Sequence, residues 1–105
     1  MLIDLNDEGL RMQEEIVCAL GRVELLLQCA EECSELAIAC SRVRRSLAGT
    51  TPMTLEQALS CLTEEAGDVM LLLDCLERKG LLDLEAAMGS ARQKTIRWYG
   101  RTVGK

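Results

Sequence analysis

The chain has 105 residues, of which 49% are apolar and 28% charged, and its formal net charge is −5. This length and mixture predict one globular domain spanning residues 1–105 rather than a disordered chain. The absence of histidine excludes a Ser-His-Asp triad, an HExxH zinc site and a Glu-x-x-His di-iron pair. The acidic balance argues against binding to a nucleic-acid polymer, which depends on neutralising phosphates.

Four helices are predicted, because leucine, alanine, glutamate and arginine dominate while β-branched and aromatic residues are sparse. The second helix either follows a break or continues the first. The third begins at Thr54, which forms a capping-box pattern with Gln57, and it ends before Gly80. The predicted ranges are 7–20, 22–47, 54–79 and 83–99.

Apolar residues recur at helical spacing along the two central helices, which predicts that these stripes form the core. In the second helix the stripe is Leu26, Ala30, Cys33, Ala37 and Cys40. In the third it is Leu55, Leu59, Leu62, Ala66, Val69, Leu73 and Leu76. A loop is predicted at 48–53, around Gly49 and Pro52. Residues 100–105 are expected to form a frayed, flexible tail.

The six cysteines are spaced at helical repeat distances, so they are interpreted mainly as small buried apolar residues. The alternative is a zinc or redox site built on Cys29 and Cys33, which are four residues apart. No second pair at metal-site spacing completes such a ligand set.

The longest uninterrupted apolar runs, 36–40 and 69–73, are far shorter than the roughly 20 residues that span a bilayer. No basic segment precedes an apolar segment at the N-terminus, so a cytoplasmic protein is expected. The fold class expected is an all-α four-helix bundle. So small a set of leucine-rich helices often completes its core by homo-oligomerisation.

Carboxylates cluster on the two central helices, as Glu-Glu-x-x-Glu at 31–35 and Glu-Glu-x-x-Asp at 64–68. Within each helix, residues three apart lie on one side, beside the apolar stripe. Like charges at this spacing repel one another, and half-buried carboxylates must be paired or bind a cation. All-oxygen ligation suits Mg²⁺ or Mn²⁺. The alternative is that these acids form ordinary solvated helix faces.

Gly67 interrupts the third helix between two of these carboxylates. A glycine inside a helix costs about 1 kcal/mol relative to alanine, so a packing or access reason is expected. The missing side chain leaves room either for a ligand or for a closely packed helix.

The two motifs, Glu-Glu-x-x-Glu at 31–35 and Glu-x-x-Asp at 65–68, resemble the signature of the MazG-like all-α nucleoside triphosphate pyrophosphohydrolases. The resemblance covers about residues 23–76, and the chain length suits the short single-domain members. The stretch between the motifs is toward the long end for the family.

The resemblance implies a helical bundle that forms dimers or tetramers. It implies an enzyme that hydrolyses a nucleoside triphosphate, often a deoxy or non-standard one, to the monophosphate and pyrophosphate. Nucleotide-pool cleansing is one role consistent with this reaction. Transferred by motif position, the Mg²⁺ ligands are Glu32, Glu35, Glu65 and Asp68. Glu31 or Glu64 is the residue implied to orient or deprotonate the attacking water.

The fourth helix supplies basic and aromatic residues that suit a triphosphate substrate. Lys94-Thr-Ile-Arg97 has the Lys-x-x-Arg form that family members bring from a later helix. The alternative is that these cations only favour the C-terminal end of the helix dipole. Trp98 is predicted to bind substrate by stacking on the base, whereas packing or a partner contact is the other reading for it and for Tyr99.

The alternative to an enzyme is a non-enzymatic helical module that binds other proteins. In that case the acidic faces bind a basic partner or keep the protein soluble. Dependence on Mg²⁺ or Mn²⁺ discriminates between the two.

Overall fold

The computed structural model describes residues 1–104 and is helical, with no strand in that range. Its four helices are α1 (Asp7–Ala19), α2 (Arg22–Leu47), α3 (Leu55–Arg78) and α4 (Leu84–Thr102). The predicted all-α class and the number of helices are confirmed, and the bounds of α2 and α3 agree with the prediction to within one residue.

Local capping chemistry sets most helix ends. The Asn6 side chain accepts a hydrogen bond from the Gly9 N–H at the start of α1. Thr54 and Gln57 form the predicted capping box at the start of α3, with both bonds at 3.1 Å. Gly80 follows α3 with a φ of 77°, a left-handed conformation that glycine adopts without a steric penalty.

The first two helices are separate elements. Leu20 ends α1 in an extended conformation, and Gly21 is also extended before α2 begins. The Glu24 side chain accepts a hydrogen bond from the Gly21 N–H at 3.3 Å, which satisfies one of the free donors at this helix start. The predicted alternative of one continuous helix is therefore wrong.

An antiparallel hairpin of α2 and α3 forms the centre of the molecule. Its core lies where the beginning of α2 meets the end of α3, and α1 packs over it through Val17. This core contains Val17, Leu25, Cys29, Cys75 and Leu76. The hairpin is what brings the two acidic motifs next to each other.

The stripe of apolar residues predicted to form the core side of α2 is not the stripe that is buried, so this prediction is wrong. Leu26, Ala30, Cys33, Ala37 and Cys40 are all exposed. The stripe that packs against α3 is one position earlier and includes Leu25, Cys29 and Ala39. Both stripes have helical spacing, so α2 carries two adjacent apolar faces and only one of them is covered.

The predicted stripe of α3 is covered unevenly. Leu76 is buried, and the middle of the stripe, at Leu62, Ala66, Val69 and Leu73, is half-buried. Leu55 and Leu59, at the beginning of the helix, are exposed. The hairpin therefore packs best at the end of α3 and leaves apolar side chains uncovered at its beginning.

Asp74 joins the N-terminal segment to the hairpin. Its carboxylate is fully buried and accepts hydrogen bonds from the N–H of Leu2 at 2.6 Å and of Ile3 at 2.9 Å. A buried carboxylate is tolerated only where such donors replace its water shell. Nearby, the Arg78 guanidinium donates to the Gln13 side chain and ties α1 to the end of α3.

Only the beginning of the last helix, α4, is packed against the other helices. Leu84 at its start is buried, whereas residues 91–104 are all exposed. The helix continues to Thr102, three residues beyond the end predicted near Tyr99, so residues 100–102 of the predicted tail are helical. Lys105 lies outside the described residues. The radius of gyration is 16.8 Å, whereas a compact domain of this length has about 13 Å.

None of the helices within residues 1–104 combines the length and the apolar character that crossing a membrane requires.

Candidate metal centre

Three of the four predicted metal ligands converge between α2 and α3. Glu32 lies on α2, and Glu65 and Asp68 lie one turn apart on α3. One carboxylate oxygen from each residue lies within 4.8 Å of those of the other two. The antiparallel hairpin produces this arrangement because it sets the first acidic motif opposite the second.

The environment of Glu32 and Glu65 disfavours the negative charge of these two carboxylates. Partial burial raises the pKa of Glu32, and the carboxylates of Asp68 and Glu65 raise it further. Partial burial also raises the pKa of Glu65, again with a contribution from Asp68. A group that resists ionisation for these reasons gains most from a nearby positive charge.

The residues present fit a divalent cation. The donors are oxygens only, they come from two rigid helices, and the side chains of Glu32 and Glu65 are half-buried. This donor set matches the preference of Mg²⁺ and Mn²⁺ for carboxylate oxygens. It is also the only group of three or more possible metal ligands found within residues 1–104.

The remaining predicted acidic residues lie around this group rather than in it. Glu35 is exposed and outside the set of three, although its charge contributes to raising the pKa of both Glu32 and Glu65. Glu31 and Glu64 are exposed as well, and Glu64 contributes to the raised pKa of Glu65. These three side chains are therefore accessible to a ligand that binds at the group.

Arg42, a base of α2 beyond its acidic motif, was not predicted as a site residue, but it lies within electrostatic reach of Glu65. Its positive charge partly offsets the effects that raise the pKa of Glu65, so it lies near enough to interact with the acidic group. The signal was present in the spacing, because Arg42 follows Glu35 by two helical turns and shares its face. The proximity of Arg42 to Glu65, however, depends on how α3 packs against α2.

The cysteines are divided between the core and the surface. Cys29 and Cys75 are buried and Cys61 is half-buried, as expected for small apolar residues, whereas Cys18, Cys33 and Cys40 are exposed. Burial first, and then the neighbouring Cys33, raises the pKa of the Cys29 thiol, which disfavours the thiolate that metals bind. The only metal-ligand group found within residues 1–104 contains no cysteine.

The predicted substrate-binding residues lie together on α4. Lys94, Arg97, Trp98 and Arg101 line a surface groove that involves no other helix. Tyr99 is exposed and lies outside this groove. No ion pair within residues 1–104 joins the basic residues of α4 to the acidic group of α2 and α3.

Gly67 faces open space. A Cβ atom built at this position has no neighbouring atom within 4 Å, so the closely packed helix considered from the sequence is absent within residues 1–104. Gly67→Ala is expected to stabilise the protein by about 1 kcal/mol, and to raise Tm by about 4–8 °C, because alanine loses less backbone entropy in a helix. Thermal unfolding of the two proteins measures the difference.

Gly80 provides the matched control for this glycine. Its φ of 77° is strained for any residue with a Cβ, so Gly80→Ala is expected to lower Tm although the space around it is also open. A fall in Tm for Gly67→Ala would contradict the prediction and would indicate that something approaches Gly67 closely in solution.

Raised carboxyl pKa values predict a pH dependence of stability in metal-free protein. The folded state holds the Glu32 proton more tightly than the unfolded chain, whose pKa is near the usual 4.5. This contribution to stability is present at low pH and is lost as the pH rises through the raised pKa. In EDTA, wild-type Tm is therefore expected to fall relative to that of Glu32→Gln above about pH 4.5.

Melting curves of both proteins between about pH 4 and pH 8 test this expectation. Adding Mg²⁺ at the upper end of the range should restore the wild-type Tm and leave that of the variant nearly unchanged. Two parallel pH profiles would show that Glu32 has no raised pKa.

Comparison with known proteins gives no relative of this chain, since no protein-family model, no curated protein and no solved structure matches it. The class that the fold and the site define is therefore an all-helical protein with a three-carboxylate group between its two central helices.

Proposed function

We propose that this protein is a Mg²⁺-dependent nucleoside triphosphate pyrophosphohydrolase of the MazG-like type. It would convert a nucleoside or deoxynucleoside triphosphate to the monophosphate and pyrophosphate, as a homo-oligomer acting on the cytoplasmic nucleotide pool. The observation that carries the proposal is the convergence of Glu32, Glu65 and Asp68. The resemblance of the two acidic motifs adds the reaction type.

In this proposal Glu32, Glu65 and Asp68 hold Mg²⁺ or Mn²⁺, and Glu35 turns in from the rim of the group. The bound ion supplies positive charge that offsets the charge developing on phosphate oxygens and makes water a better nucleophile. Glu31 or Glu64 orients the attacking water or accepts its proton. Both side chains are exposed and lie next to a proposed ligand, which suits contact with solvent.

The basic groove of α4 has the chemistry that a nucleotide requires. Lys94 and Arg97 provide charge for phosphate oxygens, and Trp98 provides an exposed ring on which a base stacks. Arg42 provides a further cation within electrostatic reach of Glu65.

A product assay tests the reaction. The protein is incubated with each common NTP and dNTP, first with Mg²⁺ and then with EDTA, and the nucleotides and phosphates are separated. We expect monophosphate and pyrophosphate in Mg²⁺ and no turnover in EDTA. Diphosphate with orthophosphate would indicate another phosphohydrolase reaction.

A helical interaction module is the second candidate, and one observation favours it. Large apolar side chains are exposed on every helix, among them Ile16, Val23, Leu47, Leu59 and Ile96. Such surfaces mark contacts with other proteins. A module of this kind shows neither turnover of any nucleotide nor a rise in Tm with Mg²⁺ or Mn²⁺, so the same assay and a melting curve separate the two functions.

A further inference from the structure

Cys29 and Cys33 are the only two cysteines of the chain that lie within about one turn of each other on the same helix. Residues four apart on a helix lie on the same side of it. The two thiols are close enough that Cys33 influences the ionisation of Cys29 through its charge and through a hydrogen bond. The proposed reaction makes no use of this pair of thiols.

The two thiols differ in their access to solvent. Cys33 is exposed, whereas Cys29 is buried in the same core cluster as Leu25 and Cys75. An oxidant in solution therefore reaches Cys33 first, while Cys29 is shielded from the oxidant but held beside the sulfur of Cys33. Redox-sensitive pairs share this division, in which an exposed cysteine is oxidised and a neighbouring cysteine resolves it.

Spacing on the helix determines what kind of disulfide these thiols can form. In a regular helix the Cα atoms of residues four apart are separated by about 6 Å, which lies within the range that disulfides span. Their Cβ atoms are about 5–6 Å apart, whereas a disulfide requires about 3.5–4.5 Å. The bond therefore forms only if the turn of α2 between the two residues changes shape. A strained disulfide is easily reduced, which is typical of regulatory rather than structural bonds.

The turn that must change shape carries a proposed metal ligand. Glu32 lies between the two cysteines, and its carboxylate converges with those of Glu65 and Asp68 from α3. Because the bond would lie entirely within α2, it would displace Glu32 relative to the two carboxylates of α3. Mg²⁺ requires oxygen ligands at about 2.0–2.1 Å in nearly ideal geometry, so it tolerates little displacement of a ligand.

We propose that Cys29 and Cys33 form a reversible disulfide that distorts the α2 turn carrying Glu32 and thereby stops the acidic group from holding a divalent cation. The formation of the bond depends on the two thiols alone, whereas its effect on nucleotide turnover rests on the proposed function.

A hydroperoxide supplies the oxidising power for this bond. It converts the exposed Cys33 thiol to a sulfenic acid and is itself reduced to an alcohol, or to water in the case of hydrogen peroxide. The Cys29 sulfur then attacks the Cys33 sulfur, the S–O bond breaks, and the oxygen leaves as water with the proton of Cys29. In total the two thiols give up two electrons and two protons, and the hydroperoxide accepts them.

Mass spectrometry tests the bond directly. Reduced protein is treated with hydrogen peroxide, the remaining thiols are alkylated, and the chain is cleaved after glutamate, which cuts between the two cysteines at Glu31 and Glu32. We expect the peptides containing Cys29 and Cys33 to stay joined and to separate when dithiothreitol is added. Cys40→Ser removes another exposed thiol of α2 and is the matched control, since it should form the bond as the wild type does.

A sulfenic-acid trap tests the order of the two steps. In Cys29→Ser the Cys33 sulfenic acid has no neighbouring thiol to resolve it, so it should accumulate and react with dimedone. Wild-type protein should incorporate little dimedone at Cys33, because the disulfide forms first. Cys33→Ser should keep the buried Cys29 as a free thiol under the same treatment.

Melting curves with Mg²⁺ test the effect of the bond on the acidic group. Reduced wild-type protein should gain Tm when Mg²⁺ is added, the oxidised protein should lose most of this gain, and dithiothreitol should restore it. Cys33→Ser should keep the gain before and after peroxide. Turnover in the same samples should fall by up to about 100-fold on oxidation and recover on reduction, as expected when a catalytic group is displaced.

These measurements separate failure of the redox switch from failure of the proposed enzyme. Peptides that never stay joined, or bonds that only link separate copies through Cys33, would overturn the redox pair. A bond that forms while the response to Mg²⁺ stays unchanged would overturn the switch. Reduced protein without any response to Mg²⁺ would overturn the metal centre and the switch together. A response to Mg²⁺ that oxidation abolishes, in a protein that turns over no nucleotide, would support the switch and remove the enzyme.

Discussion

Asp68→Asn and Glu65→Gln are each expected to lower nucleotide turnover by at least about 100-fold without unfolding the protein. Each substitution replaces one of the three carboxylates that converge between α2 and α3 with a neutral amide, which is a weaker ligand for a divalent cation. Each also removes a negative charge from a crowded group, so Tm in EDTA should stay the same or rise. Steady-state rates and melting curves, with and without Mg²⁺, measure the two effects.

Binding of Mg²⁺ provides the second readout for these variants. A cation that binds only the folded state raises the free energy of unfolding by about 2.7 kcal/mol when it is present at 100 times its Kd. Wild-type protein should gain Tm in this way, whereas Asp68→Asn should gain little. Glu14→Gln removes an exposed carboxylate from α1 and is the matched control, since it should keep both activity and the response to Mg²⁺.

Near-wild-type activity in Asp68→Asn would contradict the assignment of the metal centre. A large loss of Tm in the same variant would contradict the expectation of relieved repulsion. The two results are independent, so the chemistry and the electrostatics of the group are tested separately.

Asp74→Ala is expected to have the largest effect on stability, about 2–4 kcal/mol of unfolding free energy, which corresponds to a fall in Tm of about 10–20 °C. The substitution leaves the backbone N–H groups of the half-buried residues Leu2 and Ile3 without this acceptor. Asp74→Asn should also destabilise, because its amide offers one acceptor oxygen and a donor where two acceptors are needed. Urea unfolding at a fixed protein concentration measures the loss.

Deletion of residues 1–5 isolates the cause of this loss. If Asp74 acts by holding the N-terminal segment, the deletion and Asp74→Ala should be strongly non-additive when combined. Asp4→Asn changes an exposed aspartate in the same region and should be nearly neutral. An effect of Asp74→Asn within about 0.5 kcal/mol of wild type would show that the buried bonds contribute little.

Much of the secondary structure was predictable because its signals are local. Thr54 and Gln57 mark the start of α3 through bonds within one turn, and Gly80 marks its end through a backbone conformation that glycine favours. The acidic residues of the candidate site were predictable for a similar reason. Residues three apart on a helix share a face whatever the rest of the chain does.

The choice of the buried face was not predictable from spacing. In α2, both the stripe through Leu25 and Cys29 and the stripe through Leu26 and Cys33 have helical periodicity. Only the position of α3 decides that the first is buried and the second exposed. Periodicity indicates that a helix has an apolar side, but it does not identify the partner that covers each side.

The sequence by itself determined that this protein is helical, where its helices begin and end to within a few residues, and which carboxylates share a helix face. Tertiary structure alone decided that Glu32 meets Glu65 and Asp68, that the charge of Arg42 reaches Glu65 and that Asp74 is buried. It also decided that α4 leaves the bundle with its basic groove exposed. The reason is physical, because capping and helix periodicity act over one or two turns, whereas contacts between helices depend on how the whole chain packs.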